Sequence, residues 1–231
     1  MVKKLEWDSN LFGYSIGFVE VNEEVGFDEV KFIEEAKSYK LVYVIASDEL
    51  NSTLNLRLVD RKVVFTKDLE YKENEAEIVE FNSKKHSYQE LLDLAYLSGN
   101  SSRFYKDTNF KNNEFEKLYK QWIDKSISNE IAFKVLIKFV HNKLAGFVTL
   151  SSKDTSTSQI GLIAVNGLFQ GRNIATNLIN ECEYFAFKKK HLILDVATQL
   201  DNKPAMKLYE SNKFKIKSIN YIYHFWNYDT I

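Results

Sequence analysis

Ile160-Gly161-Leu162-Ile163-Ala164-Val165-Asn166-Gly167-Leu168-Phe169-Gln170-Gly171-Arg172-Asn173-Ile174-Ala175-Thr176-Asn177-Leu178-Ile179-Asn180 is an apolar run, a short polar turn and the opening of an amphipathic repeat. The pattern predicts a strand, a turn and a helix, with Ile174, Leu178, Ile179, Cys182, Phe185 and Ala186 forming the inward stripe of a helix over 174–187. The turn from Gln170 to Ala175 is small and polar, and Arg172 is its one cation. A cation is unfavourable at a helix N-terminus, where the dipole end is already positive. It makes sense if an anion arrives there, because free N–H groups and the dipole together favour phosphate. The stretch is therefore read as a phosphate-cradling strand-turn-helix.

Working outward, Phe133–Val140 and Ala145–Leu150 read as strands around a hairpin turn at His141-Asn142-Lys143-Leu144, and Thr155–Val165 as a third strand. Leu192–Ala197 reads as a buried strand, Lys203–Ser211 as a helix and Tyr221–Trp226 as a last strand. The C-terminal part thus runs β-β-β-α-β-α-β. Upstream, Trp7–Gly13 reads as a turn before a strand at Ile16–Val21. A helix over Asp28–Ser38 and a buried strand at Leu41–Ala46 follow. Leu54–Val59 is ambiguous, with a helix as one option, and Lys62–Thr66 reads as a strand. Lys72–Lys85 reads as a polar loop, Ser87–Leu97 and Asn113–Ser126 as helices, and Ser98–Asn113 as an irregular segment between them.

The chain has 231 residues, 45% of them apolar, enough for a sizeable core in one large or two small domains. A net charge of −1 supplies no global field toward nucleic acid or membrane. No apolar run approaches the roughly 20 residues of a membrane helix, and Met1–Asp8 turns polar too soon for a signal peptide. The lone Cys182 excludes an intrachain disulfide and a cysteine-based zinc site, and the four His are scattered without ligand spacing. The expectation is a cytoplasmic protein with no metal and no nucleic-acid partner.

The element order and the turn together resemble the GNAT superfamily of N-acetyltransferases. The superfamily's turn motif, Arg/Gln-x-x-Gly-x-Gly/Ala, is matched by Gln170-x-x-Asn173-x-Ala175, with Asn173 in place of a Gly. Asn is the residue other than Gly that best tolerates unusual backbone angles. Asn202-Lys203-Pro204-Ala205-Met206-Lys207-Leu208-Tyr209-Glu210-Ser211-Asn212-Lys213-Phe214 is similar to a second motif, Asn-x-x-Ala-x-x-Leu-Tyr-x-x-x-Gly-Phe, with Lys213 where Gly is common. Trp7–Gly13, Ser102-Arg103-Phe104-x-x-Asp107, Tyr119-x-x-Trp122-Ile123-x-x-Ser126, Ala197-Thr198-Gln199-x-x-Asn202 and Tyr223-His224-x-Trp226 resemble the dTDP-fucosamine acetyltransferase group.

The resemblance implies an α/β (α+β) GNAT fold whose mixed central sheet splays at the acyl-CoA site. Residues 1–127 would form an N-terminal α/β region contributing the acceptor pocket, and 128–231 the acyl-CoA-binding catalytic domain. The implied reaction moves an acyl group, acetyl by default, from acyl-CoA to the amine of a dTDP-linked 3- or 4-amino-dideoxy sugar used for surface glycans. It implies direct attack in a ternary complex. Another primary amine (a peptide, a polyamine or an antibiotic) and a non-catalytic acyl-CoA binder are the alternatives. Ile163, Ala164, Val165, Gln170, Gly171, Arg172, Asn173, Ile174, Ala175 and Asn202 are the implied acyl-CoA-binding residues.

Tyr209 is the implied general acid, since a phenol of pKa near 10 is matched to an alkyl thiol; by spacing alone it also fits a buried core position. Asn202 equally fits the N-cap of the helix that follows, with Pro204 near its start. Arg103, with a planar fork suited to a diphosphate, Phe104, Asp107 and His224 are the acceptor-side candidates, and Asp107 is also a candidate for orienting or deprotonating the amine. His224 and Glu130 are further candidates for the base, beside a water chain. A surface Arg–Asp pair and a packed structural His are the plainer readings of these residues. Lys188-Lys189-Lys190 reads as the cationic close of a helix, and Cys182 as a small core residue. Pairing of two copies through the last strand is left open.

Overall fold

The structure, a computed structural model, describes residues 1–21, 26–70 and 77–227. In chain order the elements are β1 (Lys3–Lys4), α1 (Glu6–Phe12), β2 (Ile16–Val21), α2 (Glu29–Ala36), β3 (Leu41–Ala46), β4 (Arg57–Asp68), β5 (Val79–Glu80), α3 (Tyr88–Ser98), α4 (Arg103–Lys106), α5 (Glu114–Ile127), β6 (Lys134–Val140), β7 (Lys143–Ser152), β8 (Thr157–Val165), α6 (Ile174–Lys188), β9 (Ile193–Gln199), α7 (Lys203–Ser211) and β10 (Lys215–Trp226). All the strands join one sheet in the order β1-β2-β3-β10-β4-β9-β8-β7-β6-β5. Among the described residues only β2–β3 and β8–β9 run parallel, so the sheet is mixed, as the α/β (α+β) expectation required. The last strand, β10, lies between β3 and β4, stitching the C-terminal end of the chain into the N-terminal strands.

Local chemistry explains most of the boundaries. Asp28, Ser87 and Asn202 cap α2, α3 and α7 by accepting from the backbone N–H three residues on. His141 and Asn142, at φ 48° and 59°, make the two-residue hairpin turn between β6 and β7, whose twist suits antiparallel strands. Four expectations change. Ser98–Asn113 is not wholly irregular: it contains the one-turn helix α4. Trp7–Gly13 is not a bare turn: it is mostly α1, closed by Gly13 at φ 82° and too short to display a period. Leu54–Val59 contains no helix; β4 begins at Arg57. The polar stretch after Lys72 contains the two-residue β5, paired with Ile137 and Leu136, while residues 72–76 of that reading lie outside the described residues.

Side chains pack on both faces of the sheet. On one face Tyr43, Phe147, Leu162 and Ala164 meet Phe12 of α1, Leu91 and Leu94 of α3, Phe104 of α4 and Leu118 of α5. On the other, Val63, Phe65, Ile160 and Val196 meet Leu178 and Cys182 of α6 and Met206 and Tyr209 of α7. Full burial of each such side chain contributes roughly 1.5–3 kcal/mol before chain entropy is counted.

The sheet opens at one place. β8 and β9 pair only from Thr157↔Ile193 to Ile160↔Val196, although β8 runs on to Val165 and β9 to Gln199. The cause is a bulge: Val148↔Ile163 is followed by Leu150↔Ile160, so β8 carries an extra residue at Gly161-Leu162. The Leu162 N–H turns to the Thr149 hydroxyl at 2.8 Å. Ile160 and Leu162, two positions apart, consequently pack in opposite cores. Beyond the bulge β9 stays with β4, and a gap separates it from β8.

Candidate active site

A cavity of about 760 Å³ occupies that gap and reaches both faces of the sheet. One wall is the open edge of β8. The Asn166 N–H bonds the Ala145 carbonyl on the β7 side, and Leu162 donates to Thr149 on the same side. Alternation along a strand therefore points the N–H groups of Ile163 and Val165 toward the gap. Ala197, Thr198 and Gln199 of β9 line the opposite wall.

On the α6/α7 face, Gln170, Gly171, Asn173, Ile174, Ala175 and Thr176 line the mouth. Gly171 takes φ 74° and Asn173 φ 58°, so the backbone turns sharply into α6. Asn173 makes no side-chain cap, and the first turn of α6 holds no acidic residue. The helix start thus presents N–H groups without an intrahelical acceptor to the cavity, which suits an anion. Arg172 does not line the cavity; it is exposed, with its guanidinium carbon 5.8 Å from the Phe169 ring centre. Asn202, capping α7 at 3.3 Å, lines the cavity as well.

Tyr209 stands on this face, 2% exposed, between the rings of Phe65 at 5.5 Å and Phe214 at 5.8 Å. Burial pushes its pKa up, so the phenol keeps its proton across neutral pH. Lys213 adopts φ 67°, and the Phe214 N–H returns to the Tyr209 carbonyl at 3.0 Å. Asn173 and Lys213, the two residues standing where the motifs favour Gly, both occupy the left-handed region.

The other face is polar. Ser102 caps α4, and Arg103 lines the cavity with its guanidinium carbon 4.3 Å from the Phe104 ring and 5.0 Å from the Tyr43 ring. Its Nε is buried and has no partner. Phe104 lines the cavity at 6% exposure, packed edge-on to Phe12 and Trp122. Asp60 and Lys62, on one face of β4, complete the wall beside Gln199. Burial pushes the Asp60 carboxyl up to about 6 against the pull of Arg103 and Lys62, and burial lowers the Lys62 ammonium. The sequence reading missed both. Their signal was the charged triplet Asp60-Arg61-Lys62 directly before the apolar Val63-Val64-Phe65 of the same strand.

Asp107 and His224 are placed elsewhere. Neither lines the 760 Å³ cavity. Asp107 closes α4, and its carboxylate accepts from Arg57 at 3.1 Å, the Asn109 N–H at 3.1 Å, His224 Nδ1 at 2.6 Å and Trp226 Nε1 at 2.9 Å. Burial opposes its charge, but the bonds from His224, Trp226 and Asn109 outweigh it and hold the pKa down to about 2. Burial holds His224 down to about 4, against Asp107. The neutral imidazole donates through Nδ1, leaving Nε2 buried and unpartnered. With its acceptor capacity filled, this network fixes the end of α4, and with it Arg103. Glu130, bonded to Ser128, lies on the surface, and Cys182 is fully buried. Among the described residues no cluster of His, Cys, Asp and Glu has the arrangement of a metal site, and no helix is long and apolar enough to cross a membrane.

The sheet is thus parted between two parallel strands, with a bare helix N-terminus at one mouth and the Tyr209 phenol lining the cavity. Residues 95–214, just over half of the chain, match the Acetyltransferase (GNAT) family, and the chain belongs to that family. It is 27% identical over 137 residues to the spore coat polysaccharide biosynthesis protein SpsD of Bacillus subtilis (strain 168), covering 59% of this chain and 46% of that protein. It is 26% identical over 106 residues to the dTDP-fucosamine acetyltransferase of Escherichia coli O6:H1, covering 46% of this chain and 45% of that protein. The chain thus matches about half the length of these curated relatives. The fold is shared with a functionally unknown conserved protein of Staphylococcus epidermidis, at a TM-score of 0.63 and 13% identity over 92% of this chain and 84% of that one.

Proposed function

We propose that the chain moves an acyl group, acetyl by default, from acyl-CoA to the amine of a nucleotide-linked amino-dideoxy sugar, by direct attack with both substrates bound. The observation that carries this reading is the cationic acceptor side of the cavity. Arg103 and Lys62 face it from two elements, and the buried Nε of Arg103 lacks a partner. A guanidinium fork with an unpartnered N–H suits a diphosphate. The sugar-related names of two curated relatives point the same way.

Acyl-CoA supplies the activated acyl carbon. Gly171 and Asn173 of the turn and Ile174 and Ala175 at the start of α6 hold its phosphates, and Asn202 and the β8 edge from Ile163 to Val165 hold its extended arm. The open N–H groups of Ile163 and Val165 are preorganised donors for charge developing on the acyl oxygen. Tyr209 gives its proton to the departing sulfur. Asp107 and His224 act indirectly, by setting α4. In this scheme residues 1–127 build the acceptor side and 128–231 the acyl-CoA side.

The test is thiol release from acetyl-CoA with dTDP-4-amino-4,6-dideoxygalactose beside a panel of simple amines, peptides and aminoglycosides. Release confined to the sugar nucleotide is expected. Release confined to another amine keeps the acetyltransferase and removes the sugar.

A further inference from the structure

We propose that Asp60 is the group that takes the proton from the acceptor ammonium. The inference needs transfer to an amine, as above, but not that the amine belong to a sugar. A primary amine reaches the site protonated at neutral pH and cannot attack until a proton leaves. Among the acidic side chains the structure describes, Asp60 is the one that lines the cavity. It is 7% exposed, and its Oδ1 is buried without a hydrogen-bond partner. A buried carboxylate oxygen left without a donor is costly unless a ligand supplies one. An ammonium is such a donor.

Position favours the same role. Asp60 stands one strand away from the gap: β4 pairs with β9 through Lys62↔Gln199, and Gln199 ends the wall that faces the open β8 edge. The groups facing Asp60 are Lys62 on its own strand, Arg103 and Lys106 on α4, Gln199 on β9 and Tyr119 on α5. Burial outweighs the three cations, so the carboxyl is poised near neutrality, where a general base works best. The same cations keep it ionised above that range. Tyr209 lies with the opposite core, so acid and base approach the gap from opposite faces of the sheet.

The proton balance is complete. One proton passes from the ammonium to Asp60, and the freed lone pair forms the N–C bond. The C–S bond breaks, sulfur takes the Tyr209 proton, and the second nitrogen proton restores the phenol. Asp60 then releases its proton to solvent, so each transfer liberates one.

The experiment is kcat/KM against pH for the wild type, Asp60→Asn and Asp60→Glu, with acetyl-CoA affinity measured calorimetrically on each. The acceptor is the sugar nucleotide or, if that is silent, whichever amine supports thiol release, so failure of the sugar reading does not disguise failure of this one. The wild type is expected to lose activity below an apparent pKa near 6. Asp60→Asn is expected to lose that limb and about 10²–10⁴-fold in kcat. Asp60→Glu should recover part of the rate, with acetyl-CoA affinity unchanged in both. Asp60→Asn within about threefold of wild type, or an acid limb that persists in it, overturns the proposal. Independently of any acceptor, carbon NMR of labelled aspartate should show one carboxyl titrating near 6 that disappears in Asp60→Asn; an ordinary value for Asp60 overturns it equally.

Discussion

At the scale of single residues, Tyr209 carries a prediction that separates chemistry from packing. Its ring is held by Phe65 and Phe214, contacts that a phenylalanine would keep. Tyr209→Phe therefore removes only the hydroxyl. The expected result is a fall in kcat of about 10²-fold or more, with acetyl-CoA affinity and the urea unfolding midpoint unchanged. Full turnover in that variant removes the acid role. Because burial raises the phenol's pKa, the wild-type rate should show no loss of this acid across the neutral range. Asp107 teaches the converse. Its residue type and its place in the segment that reads as irregular in the sequence suit catalysis, yet five hydrogen bonds from Arg57, Asn109, His224 and Trp226 fill its carboxylate. Nothing in the sequence shows that a residue 117 positions away, His224, is its partner.

At the scale of elements, the site depends on the bulge that parts β8 from β9. The Leu162 N–H is satisfied by the Thr149 hydroxyl, and a Cβ on Gly161 would stand 2.8 Å from that oxygen. Thr149→Val preserves shape and removes the acceptor, leaving a buried donor unpaired; it should cost about 1–3 kcal/mol by urea unfolding and weaken acetyl-CoA binding in calorimetry. Unchanged stability would mean the bulge holds without that bond. A second expectation concerns Lys213, whose left-handed backbone carries a steric cost that glycine escapes. Lys213→Gly should stabilise by about 1 kcal/mol in the same assay, while Asn173→Gly changes little, because Asn tolerates that region. These elements also show what a sequence discloses. The strand, turn and helix from Ile160 to Phe187 were legible because apolar period changes from strand to helix across a glycine-bearing turn. The helix α1 was not, because seven residues give no period. The bulge was not, because one extra residue in an apolar strand leaves its composition unchanged. Asp60 and Lys62 were not, because charged residues on a strand ordinarily mark its solvent face, and here that face lines a cavity shared with Arg103 and Phe104 of α4 and Tyr119 and Trp122 of α5.

At the scale of the whole molecule, three of the groups that couple stability to pH meet around the site, and two of them oppose the third. His224 is neutral when folded down to about 4 but takes a proton near 6.5 when unfolded, so the stability it contributes is complete above 6.5 and declines as pH falls toward 4. Asp107, held down to about 2, adds stability that is lost only below the ordinary carboxylate range. Asp60 has the reverse sign: its folded pKa of about 6 exceeds the unfolded value, so the folded state loses stability as pH rises through that window. Between about pH 4 and 6 the contributions of His224 and Asp60 therefore run in opposite directions and offset each other. Asp60→Asn removes one side of the balance. At pH 7.5 the variant should be more stable than wild type by on the order of 2 kcal/mol, with the advantage shrinking toward pH 4. Its stability should rise more steeply with pH over that interval than that of the wild type. Urea unfolding from pH 4 to 7.5 measures both curves. Parallel curves would mean that Asp60 does not hold its proton more tightly in the folded protein. A gain in stability accompanied by a loss of turnover would mark Asp60 as a residue kept in the fold at a cost to stability because the reaction needs it.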